Sequence, residues 1–243
     1  VSLTVISQTA EIDGRPVQYT IRRSKRARYP HVKVCRQRGI MITVPWGFTP
    51  EDYPLLVDHW GGWMVEHADR MGVRLGPTVN NYEAGSTVNI LAEPCLIETV
   101  PILRGTRKSF VERSGHTLRV NLKPRDVGDV RGVLEKYLRQ LALQDICARI
   151  EKWAPLVGAQ PTRVRVRNQS TRWGSCSRAG VLNFCFRLVM GSPRAIDAIV
   201  VHELCHLIVW HHSRAFYDLV ESVYPGYQKD YLWLRDHAQD LAF

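Results

Sequence analysis

Ile199-Val200-Val201-His202-Glu203-Leu204-Cys205-His206-Leu207-Ile208-Val209 is the stretch on which the reading of this chain turns. Two histidines stand four residues apart in it, and a glutamate directly follows the first. On a helix, positions i and i+4 lie on one face a turn apart, so His202 and His206 can reach a common metal ion. Glu203 projects beside them, where its carboxylate can hold a water molecule without ligating the ion, as a general base must. The apolar triplets on either side predict that this helix is buried, and a buried His-Glu-His cluster with no metal would leave polar groups to be satisfied in another way. Upstream, Ser192-Pro193 reads as the helix start, with serine as cap and proline in the first turn.

A catalytic zinc takes three protein ligands and keeps a fourth position open. His212 is the expected third ligand, but along one continuous helix the six residues after His206 would carry it about 9 Å away. The helix must therefore break, and Trp210-His211-His212-Ser213 is where a break is expected, with Ser213 capping a new helix over 213–224. The spacing equals that of metzincin proteases, although their turn glycine is replaced by Val209. Glu221 is a rival third ligand, since gluzincin proteases draw a glutamate from a following helix, and His211 is an adjacent competitor.

With 243 residues, 45% of them hydrophobic, the chain can bury a sizeable core, which excludes a disordered chain, a collagen and a disulfide-stapled miniprotein. Thirty-three Lys and Arg against 23 Asp and Glu give a net charge of +10, so a polyanionic partner is plausible. The charge is concentrated. Residues 15–38 hold nine basic residues and no acid, 104–125 hold seven against Glu112 alone, and 163–178 hold five against none. Arg22, Arg23, Lys25 and Arg26 are the candidate contacts to nucleic acid, and Tyr19, Tyr29 and Trp46 are aromatics near enough in sequence to stack on bases; a solvated strand face is the alternative. No apolar run reaches the length of a membrane span, and the first residues lack the layout of a signal peptide. Six scattered cysteines without a CxxC pair suggest reduced thiols and a cytoplasmic setting.

Residues 1–48 alternate in the manner of strands around an Asp13-Gly14 turn; a helix is expected over about 50–71. Strands follow near 86–91, 95–100, 109–113 and 117–122, with Ser114-Gly115 as a turn. Helical spacing then runs over 127–153 and is expected to end at Pro155 and Gly158; beyond it come a strand over 163–167, an irregular 170–177 and a strand over 181–188. A domain boundary is placed at 125/126, separating an N-terminal β-rich basic domain from a catalytic domain over 126–243.

Arg172-Trp173-Gly174-Ser175-Cys176-Ser177, the strand over 180–188, Ile196-Asp197 through Val200-Val201, the HELCHL run, His212-Ser213 with Phe216, and Pro225 with Trp233-Leu234 together resemble the YgjP-like metallopeptidase family, kin to the SprT-like and WLM zinc peptidases. The resemblance is specific over about 160–235 and weaker in the N-terminal IRRSKRAR segment. It implies zinc held by His202, His206 and His212, with Glu203 catalytic. His211 and Cys185 stand where the family usually has Asn, and Phe186 and Tyr217 where it has Trp.

The expected architecture is α+β, a zincin-like domain made of a small sheet and the HExxH helix, preceded by the basic domain. The expected activity is peptide hydrolysis by a zinc-activated water, with the substrate alongside an edge strand supplied by 181–188 or by the RWGSCS segment. Arg172, Tyr217, Tyr231 and His237 are candidates by type for stabilising the oxyanion, and Arg172 also for a substrate carboxylate. Two alternatives come from other classes: a zinc-dependent nucleotide or phosphoester hydrolase on the same metal site, and a nucleic-acid-binding protein with structural zinc.

Overall fold

The computed structural model describes residues 5–36, 39–76, 82–102, 108–169 and 171–243, so Arg38, Arg104 and Arg107 of the basic patches lie outside the described residues. The chain forms two compact units, 1–79 with 236–242, and 80–235 with 243.

In the first unit, β1 (Val5–Ile12), β2 (Arg15–Ser24), β3 (His31–Cys35) and β4 (Gly39–Pro45) make a sheet of order β1-β2-β4-β3. Asp13 and Gly14 both take positive φ, 52° and 69°, the backbone twist that a two-residue hairpin demands. Alternate residues Val17, Tyr19 and Ile21 of β2, and Ile40, Ile42 and Val44 of β4, are buried with Leu56, Met64, Val65 and Ala68 of α1 (Tyr53–Met71). Tyr19 is thus a core residue, whereas Tyr29 and Trp46 are exposed. The C-terminal residues join this unit through Gln239, whose Oε1 accepts from Arg74 N and whose Nε2 donates to Arg74 O.

The second unit begins with β5 (Thr87–Ile90), β6 (Glu93–Pro101), β7 (Phe110–Ser114) and β8 (Thr117–Leu122), in the order β5-β6-β8-β7. The long α2 (Val130–Val157) packs against β7 and β8, and Leu91 N donates to Val189 O, 2.7 Å away. The expected boundary at 125/126 therefore falls inside a compact unit, because the apolar face of this second sheet is covered by helix and chain that follow it. The helix α2 closes where Pro155 and Gly158 were expected to end it: Pro155 lies in its last turn and Gly158, at φ 78°, is its C-cap.

A third sheet carries β9 (Arg163–Arg167), β10 (Gly174–Cys176) and β11 (Val181–Cys185), ordered β10-β11-β9. Part of the segment expected to be irregular is thus an edge strand, while 181–188 is strand only as far as Cys185. Residues 186–190 turn into a 3-10 helix and are all buried. The last helices are α3 (Pro193–Cys205), α4 (Arg214–Val223) and α5 (Tyr227–Asp236). Asp197 ties α3 to α2, accepting from Trp153 Nε1 at 2.8 Å and pairing with Arg149 at 2.8 Å.

Candidate metal centre

Ser192 Oγ accepts from Ala195 N at 3.2 Å and Pro193 occupies the first turn, so α3 starts where serine capping and proline geometry put it. Its buried residues run from Ala195 to Cys205 almost without interruption. The helix stops at Cys205, with His206 as its C-cap, somewhat before the break expected at Trp210. The chain then turns and re-enters a helix at Ser213, whose Oγ accepts from Phe216 N.

This break returns His212 to the helix it left. His212 Nε2 lies 3.1 Å from His206 Nε2 and 3.1 Å from His202 Nε2, and the three rings form the one His, Cys, Asp or Glu cluster of metal-binding size among the described residues. His202 and His206 are buried, and His212 faces solvent. His206 Nδ1 is 3.1 Å from Val209 O. A carbonyl only accepts, so Nδ1 carries the proton and Nε2 is left with a lone pair aimed at the cluster. The support comes from the backbone of residue 209, which is why valine serves there.

The donor set fits zinc. Imidazole ligands at zinc–nitrogen distances of about 2.0–2.1 Å in tetrahedral array lie about 3.3 Å from each other. Converging nitrogen lone pairs repel unless a cation lies between them, and the separations of 3.1 Å are close to the zinc spacing. Burial, followed by the neighbouring His206 and His212, pushes the His202 pKa down to about 3, so the ring is neutral and able to ligate at physiological pH. Cys176 and Cys205 are held as thiols: burial raises them to about 11 and about 12, with Glu203 adding to the effect at Cys176.

Glu203 is buried beside the histidines, and its Oε2 has no hydrogen-bond partner among the described residues. Burial raises its pKa to about 8, while the positive charge of exposed Arg172 pulls the other way. Gly174 of the edge strand β10 lies against this carboxylate. A Cβ at that position would sit 2.6 Å from Glu203 Cγ and 2.8 Å from Cδ, inside van der Waals contact.

Phe216 forms an apolar floor beneath all three histidines, with ring centroids 4.9 Å from His202, 4.4 Å from His206 and 5.0 Å from His212. Tyr231 stacks on His202 and Tyr217 on His212. The rival ligands lie outside the cluster. Glu221 accepts from Gly226 N at 2.7 Å, and His211 is exposed. His237 belongs to the other compact unit. Neither the role of Gly174 nor that of Phe216 follows from the metal motif. Both left a trace in the sequence: a glycine inside a strand marks close backbone approach, and Phe216 stands in the first turn of the helix that Ser213 caps.

No curated protein matches the chain. Among solved structures, the crystal structure of the metallopeptidase zymogen of Pyrococcus abyssi abylysin is similar at 24% identity; the match covers 35% of this chain and 87% of that one with a TM-score of 0.33, too slight to carry an argument. The sequence profile of the YgjP-like metallopeptidase domain matches residues 28–237, which takes in the histidine centre, Glu203 and the edge strand alike. The chain belongs to the YgjP-like metallopeptidase family.

Proposed function

We propose that this chain is a zinc-dependent peptidase of zincin type, with zinc held by His202, His206 and His212 and Glu203 as general base. The observation that carries the reading is the convergence of three imidazole nitrogens beside a buried, unpartnered carboxylate oxygen and a free strand edge. When bound, zinc supplies Lewis acidity, polarising the peptide carbonyl and acidifying water.

The residues of the chain do the rest. Glu203 takes a proton from the attacking water as the water oxygen bonds to the carbonyl carbon and the carbonyl π pair moves onto oxygen. The C–N bond then breaks with its electron pair on nitrogen, and Glu203 returns the proton to the leaving amine. The edge strand β10 offers backbone groups to an extended peptide, in the manner of strand addition, and β11 does not, since both its sides are paired. Exposed Arg172, two residues before β10 and near enough to act on Glu203, is suited to a substrate carboxylate. Six scattered cysteines without a CxxC pair suit a reducing compartment such as the cytoplasm.

Metal analysis tests the ligand set. One zinc per chain is expected in the purified protein, lost in His202→Ala, His206→Ala and His212→Ala and retained in His211→Ala and Glu221→Ala. Retention by His212→Ala with loss in either of the other two would move the third ligand there.

The basic N-terminal unit is proposed to hold nucleic acid near the peptidase. Lys25 and Arg26 are exposed, Arg22 and Arg23 are half-buried, and Lys25 Nζ lies 5.2 Å over the exposed ring of Trp46. About six phosphate contacts imply roughly a thousandfold loss of affinity between about 50 and 200 mM salt. Arg23 bonds Tyr53 Oη in the core, so Lys25→Glu with Arg26→Glu is the cleaner variant, expected to flatten the salt slope in gel-shift titrations with zinc content unchanged. No binding at low salt would reduce the patch to a solvated face.

A further inference from the structure

We infer that the Tyr231 hydroxyl is the hydrogen-bond donor to the oxyanion formed in peptide hydrolysis, an inference that rests on the peptidase reading above. Three aromatic rings border the histidine centre, and they differ in kind. Phe216 is fully buried and offers no polar atom. Tyr217 and Tyr231 are 44% and 38% exposed, so they stand at the open side from which a substrate arrives.

Tyr231 is the closer of the two. Its ring lies 5.3 Å from His202 at an interplanar angle of 28°, against 6.1 Å between Tyr217 and His212. Stacked on His202, the residue directly before Glu203 in the chain, the ring of Tyr231 borders the helix turn that carries both a ligand and the base. The negative charge that develops on the carbonyl oxygen needs a donor fixed beforehand, because a donor that must first reorient gives back much of its effect.

Tyr231 is fixed. On one side of it in sequence, Asp230 accepts from Arg194 Nε at 3.1 Å and from Tyr224 Oη at 2.7 Å. Arg194 belongs to the first turn of α3, so the helix carrying Tyr231 is tied to the helix carrying His202 and Glu203. On the core side, Tyr227 and Leu234 of the same helix are buried, and the Tyr227 ring meets that of Tyr231 at 6.0 Å. The base and the proposed donor therefore share one anchored pair of helices. Arg172 precedes an edge strand and is exposed, so it is not held against the histidines in this way.

Tyr231→Phe tests the assignment cleanly, because it keeps the ring on His202 and removes only the hydroxyl. Loss of one preorganised donor is expected to lower kcat by about 10²–10³-fold. Zinc content should stay at one per chain and KM should move little. Binding supplies a readout apart from turnover: calorimetry should show a phosphinic peptide, whose tetrahedral oxygens imitate the oxyanion, losing affinity by a similar factor in Tyr231→Phe. Affinity for an uncleaved peptide, measured in the Glu203→Gln background, should not change. Wild-type kcat and phosphinic-peptide affinity in Tyr231→Phe would overturn the inference while leaving the peptidase reading standing, and so would equal losses in Tyr217→Phe. A wild-type protein that cleaves no peptide would instead overturn the reading beneath it, and the inference with it.

Discussion

Glu203→Gln is expected to keep one zinc per chain and to lower kcat/KM on an unfolded protein substrate by about 10²–10⁴-fold, since the amide keeps the shape of the side chain and loses its basicity. The same substitution should stabilise the metal-free protein. Burial raises the Glu203 pKa to about 8 from an ordinary value of 4.5, so between those limits the folded chain must take up a proton that the unfolded chain does not hold. Relative to the amide variant, the stability of the metal-free wild type is therefore undiminished below about pH 4.5 and falls as pH rises towards 8. Urea unfolding in chelator should show Glu203→Gln ahead by a few kcal/mol at about pH 8 and level near pH 4.5. An equal gap at both values would mean that the carboxylate is not held at the expense of stability.

Gly174→Ala should be nearly as damaging to catalysis although it touches no ligand. The added Cβ would lie 2.6 Å from Glu203 Cγ and 2.8 Å from Cδ, and the opposing atoms belong to a buried side chain on a helix anchored at both ends. Either β10 or the carboxylate must move. A displacement of about 1 Å at a reacting group is worth on the order of 10²-fold in rate. Overpacking of this kind also lowers stability by about 1–3 kcal/mol. Zinc should remain, since the atoms nearest the new Cβ belong to Glu203 and not to a histidine. Steady-state kinetics beside metal analysis decides it, and wild-type kinetics in Gly174→Ala would show that the edge strand does not hold Glu203 in place.

The centre was legible because its spacing is local. The i, i+4 pair, the serine caps at 192 and 213 and the proline at 193 each act within one or two turns, and each stands where helix chemistry requires it. His212 could be read as well, since distance along a helix forces a break before it. Its partner on the backbone, Val209 O, could not, because a carbonyl leaves no mark on sequence. Long-range packing was the harder part. The apolar faces of β5, β6 and β8 look like those of β2 and β4, and nothing local says which helix will cover them; they are buried in the unit that holds the histidine cluster, so the division falls near residue 80. Likewise the positive charge of residues 15–38 reads as one cluster, yet in the fold Arg15 pairs with Asp69, Arg23 bonds Tyr53 and Arg36 bonds Met71 O.

The central claim, that the three histidines and Glu203 form a peptide-cleaving zinc centre, meets its most direct test in the mass spectrum of an unfolded protein incubated with the zinc-loaded chain. The expected result is a set of new fragments whose paired masses sum to the intact substrate plus one water, produced by wild type and absent with Glu203→Gln. Fragments of the same yield from Glu203→Gln, or an intact substrate with wild type while phosphate is released from a nucleotide, would contradict it.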